Sequence, residues 1–283
     1  MTSLDAARAA GIAAEQLAEF LDGRHAAVLT GAGVSTDSGI PDYRSPGRPV
    51  RNPMTWQEFE RSDERRRRYW AGAAIGWPRF DRARPNAGHF ALAELEAAEL
   101  VTGLATQNID GLHLEAGSAR VVELHGHVRS VACTVCGAVE SRAALLTRMR
   151  AENPALAAVT SEVEGNPDGD AAIPETVVEA FEVPVCLNCG GMLAPQVVMF
   201  GQFVPPTATE AAGRLIDDAD ALIIAGSSMV VNTGIRLLHR AQRRGLPVAV
   251  INRGPTRADE VATLRLDAGT SEALAGAAGL LLA

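Results

Sequence analysis

Residues 26–35 read AAVLTGAGVS, an apolar run that passes straight into Gly31, Ala32, Gly33 and Ser35. Five residues are too few for a stable helix, and a glycine pair bounds the run, so it reads as a buried strand entering a tight turn. Glycines placed there let backbone N–H groups approach a phosphate closely at a helix N-terminus, where the dipole favours negative charge. The motif alone is weak. An ordinary dinucleotide fingerprint wants Gly or Ala at position 36, where Thr36 stands, and an acidic residue closing a second strand about 20 residues later. Here the loop continues as Asp37-Ser38-Gly39-Ile40-Pro41-Asp42-Tyr43-Arg44, which counts against a dehydrogenase.

Working outward, further short apolar runs lie at 101–106, 121–124, 197–200, 221–225 and 248–251. Helical patterns at 89–100, 207–218 and 233–244 separate many of them. Strands alternating with helices in this way predict an α/β fold: a Rossmann-like, doubly wound, mostly parallel sheet covered on both faces. Two stretches break the alternation. Residues 46–85 are rich in Arg, Pro and Trp and read as a helical insert; residues 129–194 contain every cysteine and a loop-like patch at 166–174. Both are expected to build a smaller lobe on a single domain, whose large lobe takes about 1–45, 86–128 and 195–283. Ligands of open α/β sheets sit beyond the carboxyl ends of the strands, so a cleft between lobes is expected.

Composition narrows the function classes. The 283 residues are 47% hydrophobic and 21% charged, as in ordinary globular proteins, and the net charge of -8 gives no global basic field for nucleic acid or an anionic membrane. Arg65, Arg66, Arg67 and Arg68 form a local exception, read as a solvated helix face or, second, as a groove for an acidic partner. All 26 Lys and Arg positions are arginine, which fits a compositional bias. No apolar run reaches the ~20 residues of a membrane span. The first 23 residues read as an amphipathic helix carrying Asp5, Glu15 and Glu19 rather than a signal peptide, so a cytoplasmic protein with reduced thiols is expected.

Four polar blocks follow strands. Thr106-Gln107-Asn108-Ile109-Asp110-Gly111-Leu112-His113 sets amide and carboxylate groups at a strand's carboxyl end, suited to ribose hydroxyls or an amide ligand, or equally to a turn. His125-Gly126-His127 offers imidazoles able to take a proton from a hydroxyl at neutral pH, though a histidine there is more often structural. Gly226-Ser227-Ser228 and Asn252-Arg253-Gly254 place small or hydrogen-bonding groups after two late strands, each with a turn-only reading beside it. The chemically strongest block is a pair of C-x-x-C-G knuckles, Cys133/Cys136 and Cys186/Cys189. Four thiolates satisfy tetrahedral zinc and leave no open coordination position, so one structural Zn is expected.

Taken in this order, the six blocks resemble the sirtuin family over most of the chain, from about Ala26 to Ala268. The segments Asp42-Tyr43-Arg44, Arg68-Tyr69-Trp70 through Gly76-Trp77-Pro78, and Pro85-Asn86-Ala87-Gly88-His89 are similar to the class II branch, which includes a mitochondrial member in animals. Members of that branch have been assigned both lysine deacylation and protein ADP-ribosylation. The resemblance implies an NAD-dependent deacylase acting on acyl-lysine proteins or peptides. It implies that Gly31, Ala32, Gly33, Ser35, Thr36, Asp42, Tyr43 and Arg44 bind NAD, with Ala32, Gly33 and Arg44 holding its phosphates and the loop over nicotinamide. Gln107, Asn108, Ile109 and Asp110 would line the nicotinamide pocket and ribose, Asn108 and Asp110 serving catalysis with His125 as general base. Gly226, Ser227, Ser228, Asn252, Arg253 and Gly254 would take the adenosine half. Val198-Met199-Phe200-Gly201 would pair with the extended substrate peptide by β-augmentation.

The implied chemistry is attack of the acyl-lysine carbonyl oxygen on C1′ of the nicotinamide ribose, with nicotinamide as leaving group. His125 then takes a proton from a ribose hydroxyl, which attacks the imidate; lysine and O-acyl-ADP-ribose result. Mono-ADP-ribosyl transfer at the same NAD site and a non-catalytic NAD or ADP-ribose sensor are the alternatives. Gln202 stands where the family commonly has an acidic residue, and a Tyr–Arg pair for succinyl groups is not evident after Arg44.

Overall fold

The computed structural model describes residues 3–43, 53–159, 170, 171 and 173–283. In chain order the elements are α1 (Ser3–Leu21), β1 (Ala26–Thr30), α2 (Trp56–Arg61), α3 (Asp63–Arg82), α4 (Ala87–Ala97), β2 (Val101–Thr106), α5 (Leu112–Glu115) and β3 (Val121–Glu123). They continue as β4 (Gly126–Cys133), β5 (Val139–Ser141), α6 (Arg142–Glu152), α7 (Glu175–Ala180), β6 (Leu193–Val197) and α8 (Pro206–Asp217). The chain closes with β7 (Ala221–Ala225), α9 (Asn232–Arg243), β8 (Val248–Ile251), β9 (Leu264–Leu266) and α10 (Thr270–Leu281). Two compact units result, one of Met1–Gly39, Arg84–Leu124 and Val204–Ala283, the other of Ile40–Ala83 and His125–Phe203.

The first unit carries a six-stranded sheet in the order β3-β2-β1-β7-β8-β9, with every pairing parallel. Its central strands are buried at every position of β1, β7 and β8, as uninterrupted Ala/Val/Ile/Leu runs demand when helices cover both faces. The period of two sorts their side chains cleanly. Ala26 and Val28 of β1 pack with Leu17 and Leu21 of α1, Leu92 and Leu95 of α4, and Leu274 of α10. Ala27 and Leu29 pack on the opposite face with Leu215 and Ile216 of α8 and Leu237 and Leu238 of α9. This is a three-layer doubly wound fold with Rossmann strand order. The register pairs Thr30 with both Thr106 and Ala225, so β1, β2 and β7 end level with one another.

The second unit holds an antiparallel sheet, β5-β4-β6, beside α2, α3, α6 and α7. Phe59 and Trp70 are fully buried, and Phe59, Tyr69 and Trp70 meet edge to face. The guanidinium of buried Arg142 lies 4.9 Å from the Trp70 ring and is also stacked over Tyr69 and Trp77. The arginine run is more constrained than a solvated face: Arg65, Arg66 and Arg68 pair with Glu58, Asp63 and Glu175.

Three details differ from the sequence expectations. The strand expected at 197–200 ends at Val197, because Met199 donates its N–H to the Gln202 side chain at 2.9 Å and accepts the Gln202 N–H in a turn. β9 and α10 carried no expectation, since a three-residue strand is too short for a period and an alanine-rich helix shows little polar contrast. The glycine loop enters a 3-10 helix, Ala32–Ser38, rather than an α-helix.

Candidate functional site

In the first unit the loops leaving β1 and β7 touch backbone to backbone. Gly31 donates its N–H to Ala225 O at 3.0 Å, and Gly33 donates to Gly226 O at 2.9 Å. A Cβ on Gly33 would stand 2.8 Å from Gly226 Cα, and one on Gly226 would stand 2.4 Å from Val34 N. Gly226 also sits at φ +63°, the left-handed region. These glycines therefore serve contact between two loops, and the Gly31 and Gly33 N–H groups are spent on it.

Around that contact, at the carboxyl ends of β1, β2 and β7, lies a ring of amide, hydroxyl and carboxylate groups. Buried Asn108 donates from Nδ2 to Gly31 O at 3.1 Å and to Ser35 Oγ at 3.0 Å. Ser35 Oγ in turn donates to Asp110 Oδ2 at 2.8 Å. Ser227 Oγ donates to Gln107 Oε1 at 3.1 Å. Ser35, Gln107, Asn108, Asp110 and Ser227 are thus brought together, with Ile109 half-buried between two of them. This donor and acceptor set suits the carboxamide and ribose hydroxyls of a dinucleotide.

Several other expected site residues make their bonds outside this group. Thr36 is exposed and its hydroxyl bonds only to Gly33 O of its own turn. Asn252 folds its carboxamide onto Arg253 O and Gly254 O, Gly254 donates to Asp267, and Arg253 faces Glu272. The carbonyl of Ser228 accepts the Arg257 N–H. Asp42 and Tyr43 belong to the second unit, and Arg44 lies outside the described residues.

The sequence reading missed the groups that brace this loop. Asn86 caps α4 and reaches from Nδ2 to Val34 O at 2.8 Å and Ser38 Oγ at 2.9 Å, and Ser271 of α10 donates to Asn86 Oδ1. An asparagine immediately before a helical pattern was the available signal. His89 and His113 are buried with ring centroids 4.7 Å apart. Burial pushes His89 down to about 4; burial and then the His89 charge push His113 down to about 3. Both rings are neutral at physiological pH.

In the second unit His125 precedes β4, and its carbonyl accepts the Val198 N–H at 2.7 Å. The following residue must be glycine: a Cβ on Gly126 would stand 2.2 Å from Gln196 O of β6. Within the segment Val198, Met199, Phe200 and Gly201, several backbone groups are already engaged. Phe200 O accepts the Trp56 N–H at 2.8 Å and Gly201 O accepts from Gln57.

The four cysteines are unpaired thiols, and their sulfurs all lie within 4.8 Å of one another. Cys133 and Cys189 approach to 3.5 Å, Cys136 and Cys186 to 3.7 Å. A tetrahedron with Zn–S of ~2.3 Å has edges of about 3.8 Å, so the set fits one zinc ion. The Ala138 N–H and then Asn188 hold the Cys136 thiol down to about 6. Cys189 receives the Gly191 N–H, yet the crowding sulfurs of Cys136 and Cys133 push it up to about 12. Four thiolates this close need a dication. No described helix is long and apolar enough to cross a membrane.

Comparison with known proteins adds to this geometry. The Sir2 family model matches residues 31–233. The NAD-dependent protein deacetylase 1 of Mycobacterium avium (strain 104) is 49% identical over 263 residues, covering 92% of this chain and 93% of that protein. The human NAD-dependent protein lipoamidase sirtuin-4, mitochondrial, is 43% identical over 253 residues, covering 87% of this chain and 80% of that protein. Among solved structures, "Sir2-p53 peptide-NAD+" superposes with a TM-score of 0.73 at 30% identity, covering 92% of this chain and 94% of that one.

Proposed function

This chain belongs to the Sir2 family, and from that premise we propose that it is an NAD-dependent protein-lysine deacylase, built as one catalytic domain around a structural zinc site. The observation that carries the reading is the ring of Ser35, Gln107, Asn108, Asp110 and Ser227 at three level strand ends, the place where open α/β sheets bind ligands. NAD is a consumed co-substrate. Its nicotinamide and adjoining ribose are assigned to Gln107, Asn108, Ile109 and Asp110, its phosphates to the loop from Gly31 to Thr36 with Asp42, Tyr43 and Arg44. Gly226, Ser227, Ser228, Asn252, Arg253 and Gly254 take the adenosine half.

In this proposal the substrate's acyl oxygen attacks C1′ of the ribose as nicotinamide leaves with the bonding electrons. His125 accepts the proton of the ribose hydroxyl that next attacks the acyl carbon, and it returns a proton to the lysine nitrogen, which departs as the free amine. A water molecule then adds to the acyl carbon, whose bond to the C1′ oxygen breaks, and the acyl group stays as an ester on ADP-ribose. General-base help of this kind contributes about 10²–10⁴-fold. Val198, Met199, Phe200 and Gly201 hold the peptide. We assign the enzyme to the cytoplasm, where reduced thiols keep the Cys₄ set available to zinc. These 283 residues contain no lysine, so the enzyme's own side chains offer it no acyl-lysine.

The test is incubation with NAD and a panel of acetyl-, longer acyl- and lipoyl-lysine peptides. Nicotinamide and O-acyl-ADP-ribose should appear in equal amounts with loss of the acyl group. ADP-ribose attached to protein, without deacylation, would assign mono-ADP-ribosyl transfer instead. Binding without turnover would leave only a sensor.

A further inference from the structure

We propose that His113, which the sequence reading left without a role, is a positioning residue that sets the direction of the threonine links in a buried hydrogen-bond circuit holding Asn108 and Asp110. The inference rests on the assignment of those two residues to NAD.

The circuit is short and buried. His113 Nε2 meets Thr30 Oγ1 at 2.9 Å, and Thr30 Oγ1 donates to Thr106 Oγ1 at 2.8 Å. Thr106 Oγ1 accepts the Asn108 N–H at 3.0 Å, and Asn108 Nδ2 donates to Ser35 Oγ at 3.0 Å. Ser35 Oγ donates a hydrogen bond to Asp110 Oδ2, while Asp110 Oδ1 accepts the N–H of Leu112, the residue before His113. Thr30, Thr106, Asn108 and His113 are all less than a tenth exposed.

A hydroxyl rotates, so two threonines alone could share their hydrogen bond in either direction. The imidazole decides. His113 Nδ1 is buried without a partner among the described residues, so the ring makes its hydrogen bond at Nε2. With its proton on Nε2 the ring donates to Thr30 and cannot accept the Thr30 hydroxyl proton in return. The Thr30 hydroxyl then donates to Thr106 Oγ1, whose two lone pairs take that bond and the Asn108 N–H. His89 completes the environment: its Nδ1 accepts the Asn86 N–H at 3.3 Å, so its own proton is on Nε2, a buried atom without a partner among the described residues. Neither ring needs to titrate; the donor at Nε2 is what the circuit uses.

The test is steady-state kinetics of the full chain with NAD and an acyl-lysine peptide, comparing wild type, His113→Leu, His113→Gln, Thr30→Val and the His113→Leu/Thr30→Val pair. Losing one such buried bond corresponds to about a 10- to 100-fold loss in kcat/KM for NAD. The loss is expected in His113→Leu with peptide KM unchanged, since the circuit touches only the nucleotide residues. His113→Gln, which restores an amide N–H donor, should recover most of it. The double variant should be no worse than the poorer single variant, because both cuts open the same circuit. Wild-type NAD kinetics in His113→Leu, or losses that multiply in the double variant, would overturn the circuit while leaving the deacylase reading intact. If His113→Leu does not fold, Thr30→Val carries the test, and wild-type NAD kinetics there would equally overturn it. A wild-type chain that neither binds nor consumes NAD would overturn the functional reading and the circuit with it.

Discussion

Replacing Gly226 with alanine tests whether the glycine loops of β1 and β7 are a structural clasp before they are a ligand cradle. Two costs add. Holding an alanine at φ +63° costs about 1–2 kcal/mol. The new methyl would also stand 2.4 Å from Val34 N and 2.7 Å from Gly33 C, both backbone atoms that cannot rotate away, and overpacking of this kind costs about 1–3 kcal/mol. The sum is roughly 2–5 kcal/mol, or about 4–20 °C in Tm at the ~2–4 °C per kcal/mol of a domain of this size. Gly23 supplies the control, because it sits at φ +66° with nothing within 4 Å of its Cβ position. Gly23→Ala should lose only the conformational part. The assay is urea and thermal denaturation of both variants, with NAD affinity measured by calorimetry. Gly226→Ala should be less stable than Gly23→Ala by about 1–3 kcal/mol and bind NAD more weakly. Equal stabilities for the two variants, with unchanged NAD affinity, would refute the clasp.

Other consequences can be measured separately. Cys186→Ser, or prolonged chelation, should release one zinc per chain and lower the melting temperature, and a disulfide in never-chelated protein would contradict the Cys₄ assignment. His125→Ala should reduce kcat for deacylation by about 10²–10⁴-fold with little change in NAD affinity, whereas His127→Ala should be far milder; the reverse order would show the wrong histidine had been chosen. His89 and His113 are held neutral in the folded chain, at about 4 and about 3, while the unfolded chain takes their protons near 6.5. The unfolded state then binds more protons below pH 6.5, so stability is complete above that value. It should fall by up to about 3 kcal/mol per pH unit between 6 and 4. His113→Gln should halve that slope in urea titrations at stepped pH, and an unaltered slope would reject the neutral pair.

Much of this protein was decided locally, and that part was legible in the residues. The apolar runs of β1, β2, β7 and β8 are buried on both faces, so their character survives in any short window, and their alternation with helices leaves few topologies besides a parallel doubly wound sheet. The cysteine knuckles were equally plain, because zinc ligation depends on residue type and spacing. What tertiary structure alone decided is every relation that joins distant segments. That Gly33 faces Gly226, that Asn86 ties the loop after β1 to α10, and that His113 reaches Thr30 follow from strand register and helix packing. No periodicity encodes those contacts. The same holds for the end of β6, where the Gln202 side chain takes the Met199 N–H and turns the chain out of an apolar run that reads as strand. Local sequence specifies what a segment can be, and burial against a partner far along the chain selects which of its polar groups stay available for chemistry.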